Sequence, residues 1–523
     1  MIYNLIEEPW IPLLNGDGVI TEVSLREALI NGHMYSGVQD PIPTVEFGLY
    51  RLLVTFAHAI TGISGQIELA QLVDRRQLPT DKIEAYLEKW KDRFNLFDEK
   101  YPFLQTVMTG EKKPLAGLVP MVPSGTNSNH FHRSKEDEFA VSPGSAARLL
   151  TTIAPFMNAG GAGLSPSING APPYYALIVG NNLFETVALN LCAAPPTYAG
   201  SKNTPVWEGD GTFCKGEVTE APGLVGAYTW QPRRLRLIAG SGGNCSLTNQ
   251  PATILISSMY FEAGAATRFK WQDPNVAYVN TEKGETPLRP QEGREIWRQT
   301  GPLALLTERS YRGNDKQVKV RFERPLIVSQ FANLAANDYI DQQQIKVRVY
   351  GMRTDNAKVL EWQAETLILP KPLLVDDNFH LLIQHEMDKA GEIATAIRNA
   401  IHAAFKRGGK GAKNPYGALV EYSQRRFWQD LKPAFDQFLL DLSTTTEELE
   451  PLQRVTSAWR IRAKQIGEAA VNEAIGALDT NSDALRRSTV ALHQFSIKLR
   501  SMYAVPEQGT SPAKRTKKDP ATA

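Results

Sequence analysis

Trp90–Thr106 reads WKDRFNLFDEKYPFLQT and heads a stretch, reaching Pro173, that decides how this chain is built. The aromatic-studded opening gives way to a long run dominated by Gly, Pro, Ser and Asn. Within it lie SGTNSNHFHRS (Ser124–Ser134) and FMNAGGAGLSPSINGAPPYYALIVG (Phe156–Gly180), on either side of AARLLTTIAPF (Ala146–Phe156). Loops beyond ~12–15 residues are uncommon in compact domains and are usually functional or disordered. Two such loops flanking an apolar segment imply a structured frame that holds them. Glycine at this density lets backbone approach a ligand closely, and Asn and Ser present hydrogen-bonding edges. The chain reads as a scaffold for presented loops.

Outward from this stretch, the periodicities supply the frame. Asn4–Leu14 followed by NGDG (Asn15–Gly18) predicts a β-hairpin start. Ser24 with Glu27 three residues on is a capping box opening a short helix through Leu29. Val45–Ile60 carries Phe47, Leu49, Leu52, Leu53, Phe56 and Ile60 at helical spacing, and Asp81–Phe94 repeats the pattern. From Pro172 to about Trp362 short β-rich runs (Tyr174–Val179, Leu235–Ile238, Thr253–Ile256, Gln344–Tyr350) alternate with turns and with a helical Leu183–Cys192. Beyond Leu373 the texture becomes helical over Leu381–Phe405, Ala418–Leu442, Glu447–Ile475 and Ser482–Met502. Four helices with short links predict an antiparallel bundle. The expected class is α+β: a large mixed α/β N-terminal domain with long loops over residues 1–370, then a C-terminal four-helix bundle over 371–503. Residues 504–523 have almost no large apolar side chains, which predicts a disordered tail.

At 523 residues the chain is too long for one core. The balance of 57 basic against 56 acidic residues argues against a wholly electrostatic DNA binder, although local basic faces depend on clustering. Cys192, Cys214 and Cys245 are widely spaced with no CxxC pair, so a disulfide framework is not expected and a reducing compartment is. No segment reaches the ~18–20 apolar residues of a membrane span, and the first residues lack a signal peptide's pattern. The expectation is a cytoplasmic protein with no membrane association.

An enzyme reading has two candidate clusters. His130 and His132, with Asp137 and Glu138 nearby, could ligate a metal and support a metal-dependent hydrolase. QHEMDKAGE (Gln384–Glu392) lacks the HExxH spacing, because position 389 is lysine, and reads as a solvated helix face. KRGGKGAKN (Lys406–Asn414) has the flavour of a phosphate loop without the GxxxxGK[ST] order. No nucleophile elbow, CxxC pair or triad is present, so no catalytic residue, resident metal or cofactor is expected. A nucleic-acid reading uses more of the sequence. Asn127, Ser128 and Asn129, followed by Phe131 and Arg133, place hydrogen-bonding, stacking and phosphate-binding groups in one short span. The glycine run Asn158–Gly163, continuing to Asn169–Gly170, could bring backbone amides into a groove or against phosphates.

WKDRFNLFDEKYPFLQ resembles the signature of the CasA family, the large subunit of the type I-E CRISPR surveillance complex Cascade. The resemblance continues in order through NLIEEPWIPLL (Asn4–Leu14), PVWE (Pro205–Glu208), YTWQPRRLRL (Tyr228–Leu237) and YGMRTDNAKVLEW (Tyr350–Trp362), and ends in a helical region. It implies a non-catalytic subunit that recognises the protospacer-adjacent motif (PAM) in invading double-stranded DNA, helps start unwinding, and recruits a helicase–nuclease in trans. The implied partners are crRNA, target duplex DNA at the PAM, and the backbone, 5′-handle-binding and small Cascade subunits. The crRNA-handle and docking role falls on Thr126, Asn127, Ser128, Asn129 and Phe131. The glycine loop against the PAM minor groove falls on Gly160, Gly161, Ala162 and Gly163. A lysine-bearing hairpin aligns with TEKGE and Lys283. A wedge beneath the PAM aligns with Asp355, Asn356 and Ala357, where Asp355 replaces an asparagine and Asn356 a glutamine. Arg460, Lys464, Arg486 and Arg487 form a candidate basic face for the displaced strand. Some relatives carry a cysteine-rich zinc segment, of which GSGGNCSLTN (Gly240–Asn249) keeps one cysteine. A purely architectural subunit without DNA readout is the remaining alternative.

Overall fold

The computed structural model describes residues 2–119, 139–160, 163–282, 284–305, 307–313, 316–340, 344–355, 358–405, 416–445, 449–478 and 481–503. The chain divides into two compact units at Leu382/Ile383. The first unit is mixed α/β, and the second is helical, as the α+β expectation requires.

The N-terminal unit opens with the expected hairpin. Strand Ile11–Asn15 pairs antiparallel with Ile20–Val23 and, on its other edge, with Tyr35–Val38. Asn15 closes the turn, its side chain accepting from the Asp17 and Val19 amides. Ser24 caps the following helix by accepting from the Glu27 amide at 3.2 Å. The Glu27 carboxylate instead accepts from Asn31 and Tyr35, so the box is half formed.

The helix Pro43–Thr61 is the axis of this unit. It begins with Pro at the first helical position and ends at Gly62 in the left-handed region (φ 66°). It is buried on nearly all sides, and its inward Glu46, Arg51 and His58 each find a partner across the fold. Glu46 accepts from the Tyr350 hydroxyl at 2.8 Å and pairs with Arg348, fastening the helix to the strand Gln344–Asp355. His58 Nε2 accepts from the Cys192 amide at 2.9 Å. Arg51 is bidentate on Asp273, 2.8 Å to each oxygen, and lies over the rings of Phe47, Tyr175 and Tyr228.

A central three-stranded sheet has the order Lys358–Pro370, Gln344–Asp355, Tyr175–Val179, all antiparallel. A second joins Lys112–Pro114, Ile256–Ala263 and Arg233–Ala239. The expected strand Thr253–Ile256 is a correction: Thr253–Leu255 lie outside the strands, and the ladder starts at Ile256. Apolar content alone placed that strand a few residues too early. AARLLTTIAPF breaks into the helices Pro143–Leu150 and Ile153–Phe156. Thr151 and Thr152 separate them, and their hydroxyls donate back to the Arg148 and Leu149 carbonyls.

In the second unit the described helical residues belong to Asp377–Ala404, which begins just before the division, then Gly417–Ser443, Leu449–Gly476 and Ser482–Met502. Trp459 stacks on Phe438 (5.1 Å) and meets Phe435 edge-on (5.9 Å). Arg460 donates to the fully buried Glu386 at 2.9 Å, tying the third helix to the first.

Replacing Asp273 with Ala leaves Arg51 charged and buried without its carboxylate. The expected cost is about 3–5 kcal/mol, read as a lower urea midpoint of the full chain; an unchanged midpoint contradicts the bracing role. Burial pushes the His58 imidazole down to about 4 from the usual 6.5. Its neutral form is the folded one, so its contribution is complete above pH 6.5 and is lost as pH falls toward 4. The shift corresponds to roughly 3 kcal/mol. His58→Gln, which can still accept from the Cys192 amide, should flatten the acid limb of a Tm-against-pH profile relative to the parent chain.

Candidate nucleic-acid interface

Three segments singled out in the sequence meet on one short piece of backbone, Tyr174–Val179. The glycine-rich segment Asn158–Ala171 runs directly into it. The hairpin of strands Tyr278–Thr281 and Gly284–Pro287 is joined to it from one side: Tyr174 N–H donates to Leu288 O, and Tyr175 bridges Val276. The long hairpin of Gln344–Asp355 and Lys358–Pro370 lies on the other, with Tyr350 opposite Tyr175. Gly351 allows this contact, because a Cβ there would stand 2.7 Å from the Tyr174 ring.

The two hairpins end where the sequence puts their candidate residues. Thr281 pairs with Gly284 across the first tip, which carries Lys283. Asp355 pairs with Lys358 across the second, and both paired residues are exposed. Lys283, Asn356 and Ala357 themselves lie outside the described residues, as do Gly161 and Ala162. So do Thr126, Asn127, Ser128, Asn129 and Phe131, and the metal-ligand candidates His130 and His132.

The glycine segment is held from beneath. Gly160 N–H donates to Leu164 O at 3.1 Å, closing the loop, and Ser167 N–H donates to Met157 O at 2.7 Å. Arg233 donates to the carbonyls of Asn158 (2.7 Å) and Ser165 at the two ends of the loop. Arg289 reaches the carbonyls of Ala171 (3.1 Å) and Asn169 (3.3 Å). Asn169 donates to Asp273 at 2.9 Å, so the carboxylate that neutralises Arg51 also pins this segment. Between the segment and the first hairpin lies a cleft of about 490 Å³, lined by Asn169, Tyr198, Lys270, Trp271, Tyr278 and Glu285 among others.

Arg51, Asp273, Arg233 and Arg289 were not legible as site residues. Arg233 occupies the inward row of its strand, where Leu235 and Leu237 follow, and alternation alone predicts an apolar side chain there. The only sequence signal was the Pro-Arg-Arg run itself.

The four basic candidates in the second unit are not brought to one free face. Arg460 is committed to Glu386, and it shares the Tyr503 ring with Lys464, whose Nζ lies 4.8 Å from the centroid. Arg487 donates to Ala404 O at 2.9 Å and pairs with Asp483, whereas Arg486 is exposed. Cys192, Cys214 and Cys245 are free. Cys245 touches Ser145 Oγ, and among the described residues no group of three metal-ligating side chains surrounds it. Among the described residues, Gly240–Asn249 contributes one metal-ligating side chain, that of Cys245. No single described helix is long and apolar enough to cross a membrane.

Residues 4–470 match the family model described as CRISPR-associated protein Cse1. The CRISPR-associated protein CasA/Cse1 of Thermus thermophilus is 29% identical over 476 residues, covering 83% of this chain and 86% of that protein. Among solved structures, a CRISPR-associated protein from Thermus thermophilus superposes with a TM-score of 0.75 at 24% identity, over 96% of this chain and 100% of that one. A chain of a CRISPR RNA-guided surveillance complex superposes with a TM-score of 0.73 at 18% identity, over 95% and 99%. These structural likenesses show the fold. With a model match spanning most of its length, the chain belongs to the CRISPR-associated Cse1 family.

Proposed function

We propose that this chain is the non-enzymatic large subunit of a type I-E CRISPR surveillance complex in the cytoplasm. In this reading it docks on crRNA and on the backbone, handle-binding and small subunits, and probes duplex DNA for the PAM. The convergence of the glycine segment and two hairpins on Tyr174–Val179 carries the reading. Three short elements with separate sequence origins are stiffened against one strand, as a groove-probing surface requires. Each contributes few contacts, so recognition of the motif is short and permissive, and guide pairing supplies the long readout.

The second hairpin would act as the wedge. Its two strands are paired up to Asp355 and Lys358, so the tip is carried on a stiff, braced ribbon. Opening one base step costs only a few kcal/mol, which a rigid steric element can supply when the duplex is bound beside it. Asp355 lowers the attraction for phosphates at this tip, and Lys358 opposite restores a cation, so the wedge works by shape more than by charge. In the helical unit, Lys464 and Arg486 are the better displaced-strand candidates, since Arg460 and Arg487 hold helices together. Recruitment of the helicase–nuclease in trans completes the cycle, and the cleavage chemistry belongs to that partner.

Gly160→Asp together with Gly161→Asp places two carboxylates on the loop. A Cβ at Gly160 already stands 2.8 Å from Leu164 Cδ1. In gel shifts at fixed salt with the reconstituted complex, this variant should lose PAM-dependent binding by at least about tenfold while assembly is unchanged. Parent-like affinity contradicts the glycine-loop assignment. Binding that is indifferent to the presence of the whole chain contradicts the sensor function.

A further inference from the structure

One part of the segment Trp90–Thr106 is spent on the core, and the rest faces outward with no role in the surface described above. Phe94, Leu96 and Phe103 are buried, and the Phe94 ring packs against Phe56 (5.5 Å), Phe103 (5.6 Å) and Trp207 (6.1 Å between centroids). Leu5 N–H donates to Phe94 O and Leu96 N–H to Tyr3 O, each at 2.9 Å, so the backbone is tied on both sides of Asn95. Asp98 then turns the chain by accepting from the amides of Lys100 (2.9 Å) and Tyr101 (2.7 Å).

This anchoring leaves an alternation of cations and rings outside. Lys89 Nζ lies 4.9 Å from the centroid of Trp90. The Arg93 guanidinium lies over Trp90 at 5.8 Å and over Tyr101 at 3.4 Å, and Lys100 Nζ is 4.9 Å from the Tyr101 ring. Lys89 and Lys100 are exposed, and the other three are half-buried. Gly211 packs against Tyr101: its φ is +83°, and a Cβ there would stand 2.8 Å from Tyr101 Cδ1. Two nearby carboxylates are committed elsewhere, Glu88 to Lys91 at 2.6 Å and Asp98 to the two amides. Among the described residues, none of Lys89, Arg93 and Lys100 forms an ion pair with a carboxylate. A hydrogen bond and charge from Lys100, with the charge of Arg93, hold the Tyr101 phenol below its usual 10. The local potential is therefore positive, although Asp92 and Glu99 are exposed close by in the sequence. Cations already held on ring faces lose less freedom when an anion docks on them.

We propose that Lys89, Trp90, Arg93, Lys100 and Tyr101 form a binding track for the phosphodiester backbone of single-stranded DNA, of the kind that opening a duplex releases. The track shares no residue with the glycine segment, either hairpin or the basic candidates of the helical unit, so it goes beyond the function proposed above. Cations interleaved with aromatic rings suit a flexible single strand, whose phosphates can be drawn to each of them in turn. Its three cations meet phosphates alone, so binding is indifferent to sequence and nothing in it favours RNA.

The test is fluorescence anisotropy of the purified full-length chain with a labelled oligothymidylate of about 15 nucleotides, titrated at several salt concentrations. The combined change Lys89→Gln, Arg93→Gln and Lys100→Gln should weaken binding by at least about tenfold. It should also lower the slope of log affinity against log salt by about 2, since each lost single-strand contact removes about 0.7. Tyr101→Leu keeps every charge and should weaken binding by about threefold with an unchanged slope, a result that a plain electrostatic patch does not predict. Where the triple variant melts below the parent, the single exposed change Lys100→Gln decides, with an expected loss of slope of about 0.7. Absence of binding by the parent chain, or parent-like affinity in the variants, overturns the track. Tighter binding of duplex or of the matching RNA overturns the single-stranded DNA assignment. Polyglutamate that competes as well as unlabelled DNA overturns it too, in favour of an acidic protein partner. PAM preference is read separately in the reconstituted complex, and its absence there defeats the function proposed above without touching this result.

Discussion

The buried pair of Arg51 and Asp273 ties the frame of the N-terminal unit to the surface it presents. Arg51 issues from the central helix and is boxed by Phe47, Tyr175 and Tyr228. Asp273 answers it with both oxygens, and the same carboxylate accepts from Asn169 in the glycine-rich segment and from the Asn275 amide. One desolvated carboxylate therefore fixes the helix and the segment that leads into the strand carrying Tyr175. Bidentate hydrogen bonding and ring faces on the guanidinium compensate for desolvation that would otherwise make such a pair unfavourable.

In the proposed role, the arrangement would let a chain of nearly balanced charge engage a polyanion. Arg233 and Arg289 hold carbonyls of the glycine-rich segment, while Arg51, Arg148 and Arg348 pair with carboxylates. Local electrostatics at a few positions, backed by stiff hairpins, would suit the proposed role of testing many duplexes briefly. The helical unit follows the same rule. It uses arginines for internal bracing, as Arg460 on Glu386 and Arg487 on the end of the first helix show.

The frame was legible because its signals are local. The turn at Asn15–Gly18, the Ser24 cap, the apolar face of Val45–Ile60 and the four C-terminal periodicities each report on their own neighbourhood, and each element is found within a few residues of its expected place. The turns at Thr281–Gly284 and Asp355–Lys358 were legible from their polar turn residues, and the roles expected of them come from the family resemblance alone. What could not be read were contacts between distant residues. Asp273 lies 222 positions from Arg51, and Arg233 lies 68 and 75 positions from the carbonyls it holds. An arginine in an inward strand position breaks the alternation rule, and only its surroundings show why.

The most direct test is photo-crosslinking of the assembled complex to PAM-bearing duplex, with a benzophenone amino acid placed at Ala159, Glu282 or Lys358 in turn. The account predicts crosslinks from all three positions to PAM-proximal nucleotides, dependent on the motif and absent from a duplex lacking it. Crosslinks that ignore the motif, or none from any of the three while the complex still binds DNA, would contradict it.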